Sequence, residues 1–290
     1  MTPLDSSPAS DSLSSNAQPV RPFWVRLIGM IVLFLLVTSA TSAVNLAVDG
    51  IPVLALLLGL ITAAAAVWVY RAAVRYTEHR PATELEPAEA RSGLRTGFLL
   101  GLALFTATIT VIAVFGGYRI TGWGSLGAAV ASFGLMSCVA VTEEILFRGV
   151  VFRLIEEKTG TRGALLFSAV LFGTLHLLND GATVWGALAI AVEAGLMLGS
   201  AYVATRSLWL PIGLHLAWNF AEGGIFATTV SGSHEGETGL FHSALSGSTA
   251  LTGGTFGPEA SVVAILACAV PTVYFLRLAA RRGHLRSRHA

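Results

Sequence analysis

Eight stretches of about 20 mostly apolar residues, set apart by short joints, constrain this chain more than any other feature of its sequence. A helix needs about that length to cross the hydrocarbon core of a bilayer. The stretches run approximately over 24–46, 51–74, 96–115, 125–154, 163–178, 184–205, 210–229 and 261–280. Glycine and proline punctuate the joints at Gly50, Pro52, Gly116, Gly117, Gly160, Gly181 and Pro211, where turns or helix starts are expected. With 54% of its 290 residues hydrophobic and only 12% charged, the chain is far from a soluble globular composition. These features predict an all-α, polytopic transmembrane helix bundle of about eight spans.

Charge placement predicts the topology, because short cytoplasmic loops carry the excess of Arg and Lys. Basic residues fill every second joint. Arg21 and Arg26 precede span one; Arg71, Arg75, Arg80, Arg91 and Arg95 lie between spans two and three; Arg153, Lys158 and Arg162 lie between four and five. Arg206 and the tail residues Arg277, Arg281, Arg282, Arg286 and Arg288 complete the set. The intervening joints hold Asp49, Arg119, Asn179 and Asp180, so both termini are expected in the cytoplasm. Residues 1–22, rich in Ser, Pro, Ala and Asp and without a basic n-region beside an apolar one, read as a disordered cytoplasmic tail and not as a cleaved signal peptide. Residues 23–120 then supply N-terminal transmembrane helices, and 121–230 hold the chemistry. Residues 231–258, with His234, Glu235 and Glu237, face outward as a lid or, as expected here, a plain solvated loop. Residues 259–290 form the last span and a basic tail.

Several classes fall away. A formal net charge of +1, with its basic residues confined to alternate loops and the tail, does not suggest nucleic-acid binding, and the expected partners are the lipid bilayer and a peptide or membrane-protein substrate. Cys138 and Cys268 lie in apolar segments without a nearby partner and read as small buried residues. Lys158 is the sole lysine, and the abundance of alanine and arginine hints at a prokaryote with a GC-rich genome, so a bacterial plasma membrane is expected. Gly195 and Gly199 permit close helix packing, which inside a bundle does not specify an oligomer.

Charge inside the spans carries the functional signal. Val139-Ala-Val-Thr-Glu143-Glu144-Ile-Leu-Phe-Arg148-Gly149 places three ionisable groups in an apolar run, although a charged side chain at a helix centre costs about 2.5–3.5 kcal/mol on insertion scales. Glu144 and Arg148, four apart, share a helix face in the favourable order of acid before base. Glu143, rotated about 100°, faces elsewhere and is left over for chemistry. Of seven histidines, His176 and His215 alone sit within spans. Phe172 stands one turn before His176, and Asn219 one turn after His215 on the same face. Glu143 and His176 lie at similar depth on either side of a hairpin turning near Gly160. His215 follows Arg206 too closely to reach that depth on a straight helix, so a deep or re-entrant start at Pro211 is expected.

Each group alone has a plainer reading. A histidine in a membrane helix can simply bridge helices, worth about 0.6–2 kcal/mol, and an i, i+4 ion pair is more often structural than catalytic. Glu193, in span six, would hydrogen-bond a neighbouring helix or line a cavity, and Glu222 would sit on a face adjacent to Asn219. It is their joint occurrence that resists the plain readings.

Glu143-Glu144-Ile-Leu-Phe-Arg148, Phe172-Gly-Thr-Leu-His176 and His215-Leu-Ala-Trp-Asn219, in that order on successive helices, resemble the three motifs of the CAAX protease and bacteriocin-processing (CPBP, or Abi) family. The resemblance covers about 125–220. It implies an intramembrane endopeptidase similar to the type II CAAX prenyl endopeptidase. By position, it makes Glu143 the general base, His176 its partner in holding the attacking water, and His215 and Asn219 the donors to the oxyanion; Glu144 and Arg148 shape the site. It implies no cofactor, with catalytic zinc as the alternative, since two histidines and a glutamate are a plausible zinc set. A peptide precursor or a membrane protein is the substrate expected in a bacterium. A non-catalytic immunity or scaffold protein, and a proton-relaying transporter, are the readings from other classes.

Overall fold

The computed structural model describes residues 20–48, 50–233 and 239–288. Most of the N-terminal tail, Asp49, and the outer-segment residues His234, Glu235 and Glu237 lie outside the described residues. Helix α1 covers Phe23–Leu46, α2 Pro52–Glu78 and α3 Pro87–Val114. Proline opens both α2 and α3, where its missing N–H leaves no hydrogen bond unmade. Helix α4, Leu126–Glu144, starts at Ser125, whose hydroxyl accepts the amide of Ala128. It runs through a π-helical stretch, Ile145–Phe152, into α5, Arg153–Leu175.

Gly160 breaks this run at φ 71°, ψ 175°, a left-handed backbone that favours glycine. The two arms fold back on one another, and the Phe147 and Phe172 rings meet at 4.8 Å. The Ser168 hydroxyl donates to the Phe147 carbonyl at 3.3 Å across the same hairpin. The next span is built from α6, Val184–Ile190, a π-helical turn, Ala191–Gly195, and α7, Leu196–Thr205. Helix α8, Trp209–Asn219, ends in a π-helical turn, Phe220–Ile225, and α10, Val262–Arg281, closes the bundle.

Among the described residues six runs are long and apolar enough to cross a membrane: Phe23–Leu46, Pro52–Glu78, Pro87–Val114, Leu126–Leu178, Val184–Thr205 and Val262–Arg281. The eight spans expected from hydropathy are helical over most of their length, the seventh only as far as Ile225, but they are divided differently. Leu126–Leu178 contains two of them, folded at Gly160, and α8 with its extension, 11 and 6 residues long, is short for a membrane crossing. Trp24, Leu36, Trp68, Leu166 and Val270 are exposed on the peripheral helices, as suits a surface solvated by lipid tails. Nearly all of α7 and of α8 is buried. The chain is thus a multi-pass helical membrane protein with α4, α7 and α8 at its centre.

The segment expected to be a plain loop carries structure. Strand β2, Phe241–Leu245, pairs antiparallel with β1, Tyr118–Trp123, and a short helix, α9, follows at Thr249–Thr252. Hydropathy averaged over span-length windows does not register a two-stranded ribbon this short.

Small residues set the position of α8. A β-carbon on Gly97 of α3 would come within 2.2 Å of the Leu210 carbonyl oxygen, and one on Gly101 within 2.3 Å of that of Leu214. Both obstacles are backbone, so neither can swing aside. Gly97→Ala is expected to cost about 1–3 kcal/mol through overpacking, read as a lower unfolding temperature in detergent.

At one end of the bundle the described ends of the chain meet the α2–α3, α4–α5 and α7–α8 turns in a network of ion pairs. Arg26 bridges to Glu157 at 2.7 Å, Arg153 to Glu78 at 2.5 Å, Arg80 to Glu84 at 2.9 Å, and Arg206 to Glu156 at 2.6 Å. Burial alone would push the Glu84 carboxyl up, but Arg80 and Arg153 hold it below the ordinary carboxylate range. A depressed carboxylate stabilises the fold above its unfolded pKa, and that contribution disappears as pH falls through the folded value. The thermal stability gap between wild type and Glu84→Gln is therefore expected to be full at neutral pH and to close in acid.

Candidate active site

Glu144 and Arg148 are both fully buried, and Arg148 Nη1 donates to Glu144 Oε1 at 2.6 Å. The other guanidinium nitrogen donates to the carbonyls of Ala194 and Gly195 at 3.2 and 3.3 Å. Those carbonyls are accessible because the helix is π-helical over Ala191–Gly195, a distortion that frequently accompanies functional sites. The guanidinium also stacks over the Phe172 ring at 4.9 Å. The i, i+4 pair expected from sequence is present, but its role extends further. His215 Nδ1–H donates to the same Glu144 oxygen at 3.0 Å, so the carboxylate ties α4 to α8.

That bond fixes the imidazole. With Nδ1 engaged by Glu144, Nε2 is directed toward Glu143, whose nearer oxygen lies 3.9 Å away. The separation is too long for a direct hydrogen bond. Glu143 is itself partly exposed, its side chain 27% accessible against none for Glu144. His176 donates Nδ1–H to the Phe172 carbonyl at 2.7 Å, which leaves its Nε2 free. Its ring lies 4.6 Å from that of Phe172. Among the described residues nothing hydrogen-bonds the carboxamide of Asn219.

Glu143, His176, His215 and Asn219 all line one cavity of about 300 Å³ among α4, α5, α7 and α8. Of the two starts expected near Pro211, α8 has the deep one and not a re-entrant backbone. Helix α8 is regular from Trp209, and the Leu208 amide just before it donates to the Glu84 carbonyl at 2.8 Å. Arg153 lies at that same level, 3.5 Å from Glu84. The α4–α5 arm therefore continues past the level where α8 begins before it turns at Gly160, and His215 and Glu144 come out at matching depths.

Sequence reasoning missed other groups that line the cavity, among them Ser42, Asn179, Ser231 and Glu259. Glu259, directly before the last span, carried the one available signal: an ionisable residue at a span mouth. Glu193 takes both of its expected parts, accepting from Cys268 Sγ at 3.0 Å while lining the cavity. Cys138 and Cys268 are free and buried.

The zinc alternative would need a converging set of side chains. Catalytic zinc takes three protein ligands and an open position. Among the described residues no three His, Cys, Asp or Glu groups converge closely enough to hold a metal ion.

Residues 125–221 match the family model described as "Type II CAAX prenyl endopeptidase Rce1-like". The three motifs, with all six candidate site residues, fall within the matched segment. Over 79 residues the chain is 33% identical to a Bacillus subtilis (strain 168) protein named "Putative membrane peptidase YdiL". That stretch is 27% of this chain and 30% of the relative's length. No solved structure matches the chain.

Proposed function

We propose that the chain is an intramembrane endopeptidase that hydrolyses a peptide bond with a water activated by Glu143. The observation that carries this reading is Glu143 facing His215 Nε2 across 3.9 Å, in a cavity that His176 and Asn219 also line. In apolar surroundings, two carboxylates and two basic groups at that point amount to a charge-balanced set: Glu144 with Arg148, and Glu143 with a protonated His215.

Water lies between Glu143 and the scissile carbonyl, held also by His176 through its free Nε2. Glu143 removes a proton as the water oxygen forms its bond to the carbonyl carbon. The carbonyl π electrons move to oxygen, and the oxyanion accepts hydrogen bonds from His215 Nε2–H and the Asn219 amide. Collapse of the tetrahedral intermediate breaks the C–N bond, and the proton held by Glu143 passes to the leaving amine. Glu144 and Arg148 act indirectly, by fixing the ring of His215. No step calls for a metal. The substrate is a peptide precursor or a membrane protein, and the arginine-rich end faces the cytoplasm of a bacterial plasma membrane.

The test is kinetic. Removing one preorganised oxyanion donor costs about 10²–10³ in kcat, so His215→Ala and Asn219→Ala should each lose that much with a small change in KM. An Asn219→Ala protein with unchanged kcat would remove Asn219 from the mechanism.

A further inference from the structure

Behind the four residues of the proposed mechanism the cavity wall is acidic. Glu193 and Glu259 both line it, and none of its described lining residues is Lys or Arg. Both are buried, with 1% and 2% of their surface exposed. Glu259 is fully bonded by protein groups: Trp218 Nε1–H donates to one oxygen at 3.0 Å and the Ser231 hydroxyl to the other at 2.5 Å. Glu193 is not. Its Oε2 accepts from Cys268, while Oε1 is buried with no hydrogen-bond partner. A third carboxylate, Glu222, is fully buried and lies against Glu259, within electrostatic reach of both.

Unmet acceptors in a protein interior are costly, and those of a carboxylate more so. Three carboxyl groups have converged here without a basic side chain among them, in contrast to Glu144, which has Arg148 four residues away. Structural needs would be met more cheaply by glutamine or an apolar residue. The arrangement makes sense if a cation is supplied from outside the chain. The donor geometry does not suit a metal ion, whereas an ammonium or guanidinium brings several N–H donors and can reach them over an apolar stem.

The geometry points to a specificity pocket: we propose that Glu193 and Glu259 receive a basic side chain of the substrate, lysine or arginine, close to the bond presented to Glu143. This rests on the peptidase reading and adds a substrate class to it.

The full chain in detergent is mixed with a blocked apolar peptide carrying one lysine, one Nε-acetyl-lysine or one glutamate, the position being scanned along the peptide. Binding is read by fluorescence anisotropy and cleavage by mass spectrometry. At one or more positions the lysine peptide should bind about tenfold tighter than its acetylated counterpart, as expected for a desolvated charge pair. In Glu193→Gln that ratio should shrink toward one. Glu259→Gln should act likewise, and if losing its bonds to Trp218 and Ser231 unfolds it, Glu193→Gln decides alone. A ratio of one at every position in the wild type, or a ratio unchanged in Glu193→Gln, overturns the pocket. Cleavage without selectivity sinks the pocket and spares the peptidase reading. Selective binding without cleavage of any peptide does the reverse.

Discussion

With Glu143 replaced by glutamine, kcat is expected to fall about 10²–10⁴-fold, the usual contribution of a positioned general base. The amide has nearly the same shape and cannot accept the proton from water, so binding of substrate should change far less than turnover. The geometry makes Glu143 the carboxylate available for this work, since the adjacent Glu144 is committed to Arg148 at 2.6 Å and to His215 at 3.0 Å. Equal losses in kcat and kcat/KM would mark an interaction made only in the transition state. A rise in KM with kcat intact would instead reduce Glu143 to a binding residue.

The largest expected effect on stability belongs to Arg148. Truncating one partner of a buried ion pair costs about 3–5 kcal/mol, because the other charge is left without compensation. Arg148→Ala would strand the fully buried Glu144, release the Ala194 and Gly195 carbonyls, and empty the face of Phe172. Unfolding in detergent should therefore occur at much lower temperature, and the remaining folded protein should have a mobile His215 ring. Arg148→Lys would retain the charge but not the planar fork that reaches Glu144 and two carbonyls together, and should recover only part of the loss. An Arg148→Ala protein as stable as wild type would mean that the pair contributes nothing to the fold.

Much of this was legible in the chain. Helix spans follow from runs of apolar residues, and Glu143, Glu144, Arg148, His176, His215 and Asn219 stood out because polar groups are expensive where lipid is the solvent. Spacing alone separated Glu143 from the Glu144–Arg148 face. What spacing could not reveal was the bond from Glu144 to His215, which spans 71 residues and depends on how α8 seats against α3 and α4. Helical periodicity assumes 3.6 residues per turn, so the π-helical stretches that follow Glu144, Ile190 and Asn219 were invisible to it. Spacing called for a deep start of α8 but not its level, which contacts near Glu84 and Arg153 set. Glu259 escaped notice because it lies 41 residues from the Trp218 that donates to it and outside any apolar run.

The proposed site also explains why so much of the bundle is arranged around α8. Gly97 and Gly101 let that helix approach α3 at backbone distance, and Glu144 holds it to α4, so the His215 and Asn219 donors come from a closely packed helix. Preorganised donors require that rigidity, since an oxyanion site that must reorganise forfeits much of its advantage.

The most direct measurement is cleavage of a quenched library of apolar peptides by purified wild-type protein and by Glu143→Gln, each with and without a strong zinc chelator. The account predicts cleavage by the wild type that chelation leaves unchanged and that Glu143→Gln loses. Loss of wild-type activity on chelation, restored by added zinc, would contradict the glutamate-activated water, and cleavage retained by Glu143→Gln would contradict it equally.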